Sequence, residues 1–237
     1  MDIEHACSCD DPVVSVVVPS VPAYDHSTTV GCLTDQSLEQ PYEVLVVNDG
    51  SLDRSEARNA GLRRASADIV ALTDDDTRPP RDWLERIVHE FRGDPELVCL
   101  EGAVYGGCRN LGSRNYVGCN LAVRREAALS VGGFRSAFSE WREDVEFGWR
   151  MERDADGHCR YSETLRMCHP TAPRTAFKAD LERQLREEYP RRYEEVLNAS
   201  IARRLYRRLR VLGVTQPIHR AMNAVRRRIG DSRVVWP

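Results

Sequence analysis

The sequence predicts an α/β fold in which a mixed, mostly parallel sheet is flanked by helices. Three apolar runs, each of a length typical of a buried strand, fall within the first 73 residues. Each run ends in a turn or a polar cluster, and a helical segment separates the second run from the third. Strand, helix and strand at these spacings indicate right-handed parallel βαβ units.

The three apolar runs define the expected centre of the sheet. Residues 13–18 are stopped by Pro19, residues 43–47 by the turn sequence Asn48-Asp49-Gly50-Ser51, and residues 69–73 by three consecutive aspartates. Continuous apolar runs, without alternation, are typical of strands covered on both faces. We therefore expect helices on both sides of this sheet.

Helices are expected between and after these strands. A first helix is predicted over 55–65, and Pro79 with Pro80 is expected to open a second, because proline is favoured in the first helical turn. The apolar residues that follow share one helical face: Leu84, Ile87, Val88 and Phe91. The remaining expectations are strands over 97–104, 118–123 and 164–169, helices over 124–131 and 143–153, and only a weak helix within 20–40.

The composition is that of a globular protein. The chain has 237 residues, of which 41% are hydrophobic and 30% charged. Its acidic N-terminus does not resemble a signal peptide, and no apolar run approaches the roughly 20 residues that span a bilayer. We therefore expect a cytoplasmic protein whose eight cysteines are reduced thiols. A zinc site is not predicted, because paired Cys-x₂-Cys spacings are absent.

The most informative motif is the run Asp74-Asp75-Asp76 at the end of the third strand. Carboxylates this close repel one another unless a cation lies among them. Oxygen-rich clusters suit Mg²⁺ or Mn²⁺, and ligands of open α/β sheets gather at the carboxyl ends of strands. Two-residue alternation would point Asp74 and Asp76 to one side and Asp75 to the other. The alternative is a solvated acidic turn in which Asp76 or Thr77 caps the next helix.

Seven motifs in order resemble a family-two glycosyltransferase of the GT-A fold over roughly residues 13–170. The first strand ends at Pro19, and the motifs begin with the turn at Asp49. The others are Ala57-Arg-Asn-Ala-Gly61, the aspartates 74–76, residues 118–126, Gly132-Gly133-Phe134, Glu143-Asp144 with Arg150, and His169-Pro170. The order carries the resemblance, since each motif alone is weak.

The resemblance implies roles for individual residues. Asp76 and His169 would bind Mn²⁺ or Mg²⁺, and Asp144, directly after Glu143, would be the catalytic base. The residues implied in nucleotide and donor binding are Pro19, Asp49, Arg58, Asp74, Asp75 and Asn120. Simpler interpretations stay open: turn chemistry for Asp49, a structural role for His169, and a helix N-terminus that favours negative charge for Glu143-Asp144.

The activity implied is inverting, metal-dependent transfer of a sugar from a UDP- or GDP-linked donor to an acceptor hydroxyl, on a lipid-linked molecule or a nascent glycan. Asn48 and the short segment between Ser51 and Ala57 depart from the family pattern. These departures bear on the affinity for the donor and its identity rather than on the type of reaction. One alternative is a non-catalytic protein of the same fold. Another is a sugar nucleotidyltransferase, although residues 19–25 lack the glycine and lysine of a phosphate loop.

We expect three regions: an N-terminal extension (1–12), a GT-A catalytic domain (13–175) and an arginine-rich amphipathic helical tail (176–237). Residues 199–237 contain ten arginines and one acid, Asp231, so this segment carries +9 while the whole chain carries −3. Such a tail either docks on the inner face of an anionic cell membrane or packs on the acidic catalytic domain. Nucleic acid is not expected, because aromatic residues for base stacking are few there.

Overall fold

The sheet of this protein has seven strands in the order β1-β3-β2-β4-β6-β5-β7. The computed structural model describes residues 2–107, 110, 112, 114–139, 141–170, 177–201, 204–205 and 208–209. The strands are β1 Ile3–Cys7, β2 Val14–Ser20, β3 Tyr42–Asn48, β4 Ile69–Leu72, β5 Leu97–Gly106, β6 Leu121–Arg124 and β7 His158–His169.

Most strands run in one direction. β2 pairs in parallel with β3 and β4, and β5 pairs in parallel with β7. β6 is antiparallel to both β4 and β5, and β1 is antiparallel to β3. Five strands therefore end on the same side of the molecule, which we call the carboxyl end of the sheet.

Helices cover both faces of the sheet. Along β2, Val17 packs in one hydrophobic cluster while Val16 and Val18 pack in the other. Since both clusters are buried, the prediction of strands covered on both faces is confirmed. The helices are α1 Ser27–Thr34, α2 Arg54–Arg64, α3 Trp83–Gly93, α4 Arg125–Ser130, α5 Glu143–Asp154 and α6 Ala179–Glu188.

Several expected boundaries are shifted. α3 begins at Trp83 rather than at the prolines, which form a turn closed by a hydrogen bond from Trp83 N to the Pro80 carbonyl. Residues Gly118–Asn120 form a 3₁₀ turn, so the strand expected over 118–123 is only the short β6. The last strand starts at His158, well before the expected 164.

Segments near both ends of the described chain pack with the central sheet and core, whereas the expected division into three regions treats them as separate. β1 lies within the expected extension 1–12, yet it adds a strand to the sheet beside β3. Beyond residue 175, α6 and the helical segments Pro190–Arg192 and Tyr193–Leu197 contribute Leu185, Tyr189 and Tyr193 to the core. Residues 210–237 of the expected arginine-rich tail lie outside the described residues. No helix in the described ranges is long and apolar enough to cross a membrane.

Candidate active site

The three aspartates after β4 lie in a turn held by threonine hydroxyls. Thr77 Oγ1 lies 2.8 Å from the Asp74 carbonyl, and Thr29 Oγ1 lies 2.8 Å from the carbonyls of Asp75 and Thr77. Both threonines are fully buried. The conformation of the turn is therefore set by the protein interior.

Asp74 and Asp76 face one side of this turn. His169 Nε2 lies 3.4 Å from Asp76 Oδ1 and 3.7 Å from Asp74 Oδ2. Asp75 points away from them, and its Oδ2 accepts a 2.7 Å hydrogen bond from Ser20 Oγ at the end of β2. Asp75 therefore has a partner of its own, and the alternation expected of an extended segment stays a prediction, because Asp75 and Asp76 lie in a turn.

Backbone pairing brings His169 to the aspartates. Arg78 N donates to the Cys168 carbonyl at 2.8 Å, which ties the end of the turn to β7. On the other side of β7, His169 is in register with Gly106 of β5. Gly106 has φ +107°, and a Cβ there would lie 2.7 Å from the His169 carbonyl oxygen, so this position requires glycine.

The side chains around His169 fit a divalent cation. Ligand atoms of Asp74, Cys119 and His169 lie within 4.8 Å of one another, and Asp76 lies beside them. Burial opposes protonation of His169, but the hydrogen bond to Asp74 and the charges of Asp76 and Asp74 raise its pKa. The pocket therefore attracts positive charge. Carboxylate oxygens with an imidazole nitrogen are ligands that suit Mn²⁺ or Mg²⁺.

Arg58 joins the aspartate turn to the Glu143-Asp144 pair. Its side chain is 2% exposed, and its guanidinium donates from Nη2 to Asp74 Oδ1 at 2.8 Å and from Nη1 to Glu143 Oε1 at 3.1 Å. Burial opposes ionisation of Asp74, yet Arg58 holds the pKa of that carboxyl well below its usual range. We expected Arg58 beside the nucleotide base, but these contacts make it an internal link between two motifs.

The two carboxylates at the start of α5 differ in their surroundings. Glu143 Oε1 accepts hydrogen bonds from both Arg54 and Arg58, at 3.0 and 3.1 Å. Asp144 instead accepts backbone hydrogen bonds, from Gly118 N at 3.0 Å and Val145 N at 2.8 Å. Burial and the charge of Glu143 raise the pKa of Asp144 to about 6. A pKa in this range is suited to a group that accepts a proton near neutral pH.

Asp49 and Pro19 lie at the same end of the sheet as the aspartate turn. Pro19 is buried and is paired with Val47 near the end of β2. Asp49 Oδ1 accepts from Ser51 N at 2.9 Å and from Ser51 Oγ at 2.6 Å, and these hydrogen bonds lower the pKa of Asp49 to about 2. The turn chemistry considered for Asp49 is present, and its contact with a nucleotide base stays a prediction.

Asn120 lies in the core rather than facing the site. Its Oδ1 accepts from Trp83 Nε1 at 2.9 Å, and its amide nitrogen donates at 3.0 Å to the carbonyls of Ala103 and Leu165. The residue is fully buried. These contacts join Asn120 to α3, β5 and β7, so its expected role in donor binding gets no support from its position.

Two buried glutamates near the site belong to none of the sequence motifs. Glu101 of β5 accepts hydrogen bonds from the backbone nitrogens of Arg114 and Tyr116, both at 2.6 Å, and so fixes the segment leading to Gly118. Glu182 of α6 accepts from Trp141 Nε1 at 2.6 Å and Arg142 Nε at 2.7 Å. The sequence signal for such a residue is a charge inside an apolar strand. Glu101 in β5 shows this signal, and Glu182 in α6 does not.

Glu182 matters because of the backbone just before the base. Arg142 has φ +61°, in the left-handed region, and directly precedes Glu143-Asp144. A non-glycine residue in this conformation costs on the order of 1–3 kcal/mol and persists only when its surroundings enforce it. The bonds from Arg142 and Trp141 to Glu182 supply that constraint, so α6 helps to position the start of α5.

An exposed aromatic ring stands close to the aspartate turn. Tyr24, in the segment after β2, is 45% exposed. Burial of the hydroxyl and the charges of Asp76 and Asp75 raise the pKa of Tyr24. Exposed aromatic rings are surfaces on which nucleobases stack.

Comparison with known proteins identifies the central part of the chain. Residues 53–160 match the model of glycosyl transferase family 2. This segment is a family 2 glycosyltransferase domain. The chain is also 26% identical over 153 residues to a hyaluronan synthase of Pasteurella multocida, covering 54% of this chain and 16% of that protein. The chain thus spans less than a fifth of the length of this relative.

Solved structures of glycosyltransferases share the fold. The mannosyltransferase PcManGT from Pyrobaculum calidifontis, in complex with GDP-Man and Mn²⁺, has a TM-score of 0.53 and 14% identity, over 86% of this chain and 70% of that one. S. aureus TarS in complex with UDP-GlcNAc has a TM-score of 0.57 and 13% identity, over 77% of this chain and 73% of that one. The prediction of a family-two glycosyltransferase domain with the GT-A fold is confirmed.

Proposed function

We propose that this protein is an inverting, metal-dependent glycosyltransferase that moves a sugar from a nucleotide-diphospho-sugar to an acceptor hydroxyl. The observation that carries the proposal is the position of Arg58, which binds Asp74 and Glu143 at the same time. A cation-binding cluster and a candidate base therefore lie side by side within a family 2 domain.

The donor would bind across the carboxyl end of the sheet. Asp74, Asp76 and His169 would hold Mn²⁺ or Mg²⁺, which when bound neutralises the departing nucleoside diphosphate. Asp49, which follows β3, and Tyr24, which follows β2, would contact the nucleotide base. PcManGT was solved with GDP-Man and Mn²⁺ and TarS with UDP-GlcNAc, which supports a nucleotide-sugar donor and leaves both bases as candidates.

Asp144 would act as the base. Its carboxylate accepts the proton of the acceptor hydroxyl while the hydroxyl oxygen attacks the anomeric carbon. The bond from that carbon to the diphosphate oxygen breaks on the opposite face, so the anomeric configuration is inverted. Gly118 N and Val145 N keep the carboxylate in one orientation throughout.

A turnover assay tests the proposal. The protein is incubated with UDP- and GDP-sugars and Mn²⁺, and released nucleoside diphosphate is quantified with and without candidate acceptors. We expect release from at least one donor that stops with EDTA and in Asp76→Ala. Release that proceeds equally in Asp76→Ala and in EDTA would remove the metal-dependent mechanism.

We further propose that the arginine-rich segment 199–237 holds the enzyme on the inner face of an anionic membrane, where a lipid-linked acceptor would be found. Its first described apolar residues, Ile201 and Leu205, are 84% and 57% exposed. Each arginine near such a surface contributes about 1 kcal/mol. In liposome flotation, we expect the full chain to float with anionic vesicles and a chain ending at residue 198 to stay in solution. Equal flotation of both would exclude membrane docking through this segment.

A further inference from the structure

We infer that Cys159 and Cys99 form an oxidation site, at which hydrogen peroxide converts the two thiols into a disulfide. Both are free cysteines in the structure. Cys99 lies in β5 and is fully buried, whereas Cys159 lies near the start of β7 and is partly exposed. The pair takes no part in the proposed transfer reaction, so this inference is independent of the proposed function.

The pairing of β5 with β7 places the two cysteines side by side. Cys99 and Cys159 are partners in the parallel register of these strands, directly after an irregularity that follows Leu97. Both side chains pack in the same hydrophobic cluster, on one face of the sheet. Neighbouring strands lie about 4.7–4.9 Å apart, and a disulfide spans Cα separations of roughly 4.4–6.8 Å. The spacing of the sheet therefore permits a bond between the two sulfurs.

Hydrogen bonding gives the two thiols different reactivity. The Cys99 thiol donates a hydrogen bond to the Cys159 sulfur, which lowers the pKa of the Cys159 thiol in spite of its burial. The same hydrogen bond, together with burial, raises the pKa of the Cys99 thiol well above its ordinary value. Because the thiolate is the form that reacts, Cys159 is the first of the two to be oxidised, and Cys99 is the resolving thiol.

Other side chains around Cys159 also stabilise a charged sulfur. The Tyr116 hydroxyl and the charge of Arg192 lower the pKa of this thiol further. The charge of Glu152 has the opposite effect. This carboxylate is held by Tyr116, whose hydroxyl donates to Glu152 Oε1 at 2.6 Å, and by an ion pair with Arg192. Its charge, which disfavours a thiolate, is therefore partly offset.

The oxidation proceeds in two steps. The Cys159 thiolate attacks one peroxide oxygen, so that an S–O bond forms, the O–O bond breaks and hydroxide leaves, which gives a sulfenic acid. The Cys99 sulfur then attacks the Cys159 sulfur. The S–S bond forms, the S–O bond breaks, and the departing hydroxide takes the Cys99 proton and leaves as water. The two sulfurs are thus oxidised to a disulfide, and peroxide is reduced to water and hydroxide.

Cys32 of α1 provides an internal comparison. Its side chain is also partly exposed, but burial raises the pKa of its thiol. Exposure alone would let peroxide oxidise both thiols at similar rates, whereas a dependence on the thiolate favours Cys159. The ratio of the two rates therefore separates a built oxidation site from general exposure.

Peptide mass spectrometry of the full chain tests this inference. The reduced protein is treated with hydrogen peroxide, with and without dimedone, which traps sulfenic acids, and the remaining free thiols are then alkylated. Cys99→Ser keeps a hydroxyl donor beside Cys159 but removes the resolving sulfur. Cys159→Ser removes the sulfur that reacts first.

We expect the wild type to form a disulfide between Cys99 and Cys159 that dithiothreitol reverses, with Cys159 losing its free thiol at least about tenfold faster than Cys32. In Cys99→Ser, dimedone should label Cys159, and in Cys159→Ser, Cys99 should stay reduced. The inference is overturned if Cys159 reacts no faster than Cys32, or if Cys159 is oxidised without bonding to Cys99. Both of these results come from the wild type, so the test does not depend on the folding of either variant.

Discussion

At the scale of single residues, environment rather than residue type separates the roles of the carboxylates. Asp74 and Asp144 are both aspartates close to the Arg58 guanidinium, yet the pKa of Asp74 is lowered and that of Asp144 is raised to about 6. Asp74 is hydrogen-bonded directly to Arg58, whereas Asp144 is desolvated and lies beside Glu143. When the pKa values of two carboxyls are shifted in opposite directions, one carboxyl stays ionised and the other can accept a proton.

Replacing the base should stop turnover without unfolding the protein. Asp144→Asn is expected to lower kcat by about 10²–10⁴ while the Kd of the donor nucleotide stays the same, because general base catalysis is lost and the cation cluster is untouched. Because the folded-state pKa of Asp144 lies above its ordinary value of 3.8, the proton stabilises the fold below pH 4 and this stabilisation is lost as pH rises through 6. The melting temperature of Asp144→Asn at pH 7.5 should therefore be no lower than that of the wild type.

Glu143→Gln is the contrasting variant. It weakens two charged contacts, with Arg54 and Arg58, that the wild type makes in a buried setting. We expect a lower melting temperature with this substitution. If Glu143→Gln is as stable as the wild type and Asp144→Asn is not, the assignment of the two carboxylates is reversed.

The rate should depend on pH through the same group. The base acts only when ionised, so kcat is expected to rise with pH and level off above the pKa of Asp144, about 6. Below that value the rate should fall about tenfold for each pH unit. A kcat profile measured between pH 4.5 and 8.5, over a range in which circular dichroism shows a folded protein, checks this. A rate that is constant through pH 6 would contradict the role of Asp144.

Arg58 should be required for stability as well as activity. Arg58→Met leaves Asp74 and Glu143 without their buried partner, and breaking a buried ion pair in this way costs about 3–5 kcal/mol. Arg86→Met is the control, since Arg86 pairs with Asp82 on the surface and is 45% exposed. An exposed pair is worth about 0–1 kcal/mol. Chemical denaturation of the two variants should give clearly different free energies of unfolding, and equal values would contradict the buried link.

At the scale of elements, the sequence was informative where one segment alone determines the structure. The apolar runs predicted β2, β3 and β4, because a strand buried on both faces needs apolar residues at consecutive positions. β1 was missed, since Ile3–Cys7 mixes charged and apolar residues and is stabilised by pairing with β3. Gly118–Asn120 was predicted to be part of a strand, yet it forms a 3₁₀ turn. The Asn120 side chain accepts a hydrogen bond from Trp83 of α3 and donates to two backbone carbonyls.

The same distinction applies to the site. The aspartate run was recognisable because its members are adjacent in the sequence. The contacts Arg58–Glu143 and Arg142–Glu182 join residues 85 and 40 positions apart, and no local pattern specifies them. They depend on how α2, α5 and α6 pack, which the sequence alone did not reveal.

Two helical glycines test how closely α2 packs on the sheet. A Cβ at Gly61 would lie 2.2 Å from Val17 Cγ1, whereas a Cβ at Gly31 in α1 would meet nothing within 4 Å. Gly61→Ala is expected to destabilise the fold by about 1–3 kcal/mol through overpacking. Gly31→Ala should instead be neutral or stabilising by up to about 1 kcal/mol, because alanine is the better helix former. Thermal denaturation of both variants checks the difference, and a neutral Gly61→Ala would mean that α2 lies further from β2.

At the scale of the whole molecule, the chain brings distant segments to one end of the sheet. β2, β3, β4 and β7 each end there and deliver Ser20, Asp49, the aspartate turn and His169. α5 starts at the same end with Asp144, and α6 fixes the residues before it through Glu182. The proposed donor site and the base therefore lie at the same end of the sheet, joined by the contacts of Arg58 with Asp74 and Glu143.

The most direct test of this account is calorimetric titration of UDP and GDP, with and without Mn²⁺, into the wild type, Asp76→Ala and Asp144→Asn. We expect one nucleotide to bind the wild type only with Mn²⁺, to bind Asp144→Asn with the same Kd, and to bind Asp76→Ala at least about tenfold more weakly. Nucleotide binding that is independent of Mn²⁺ and unchanged in Asp76→Ala would contradict a metal-bridged diphosphate at the aspartate turn.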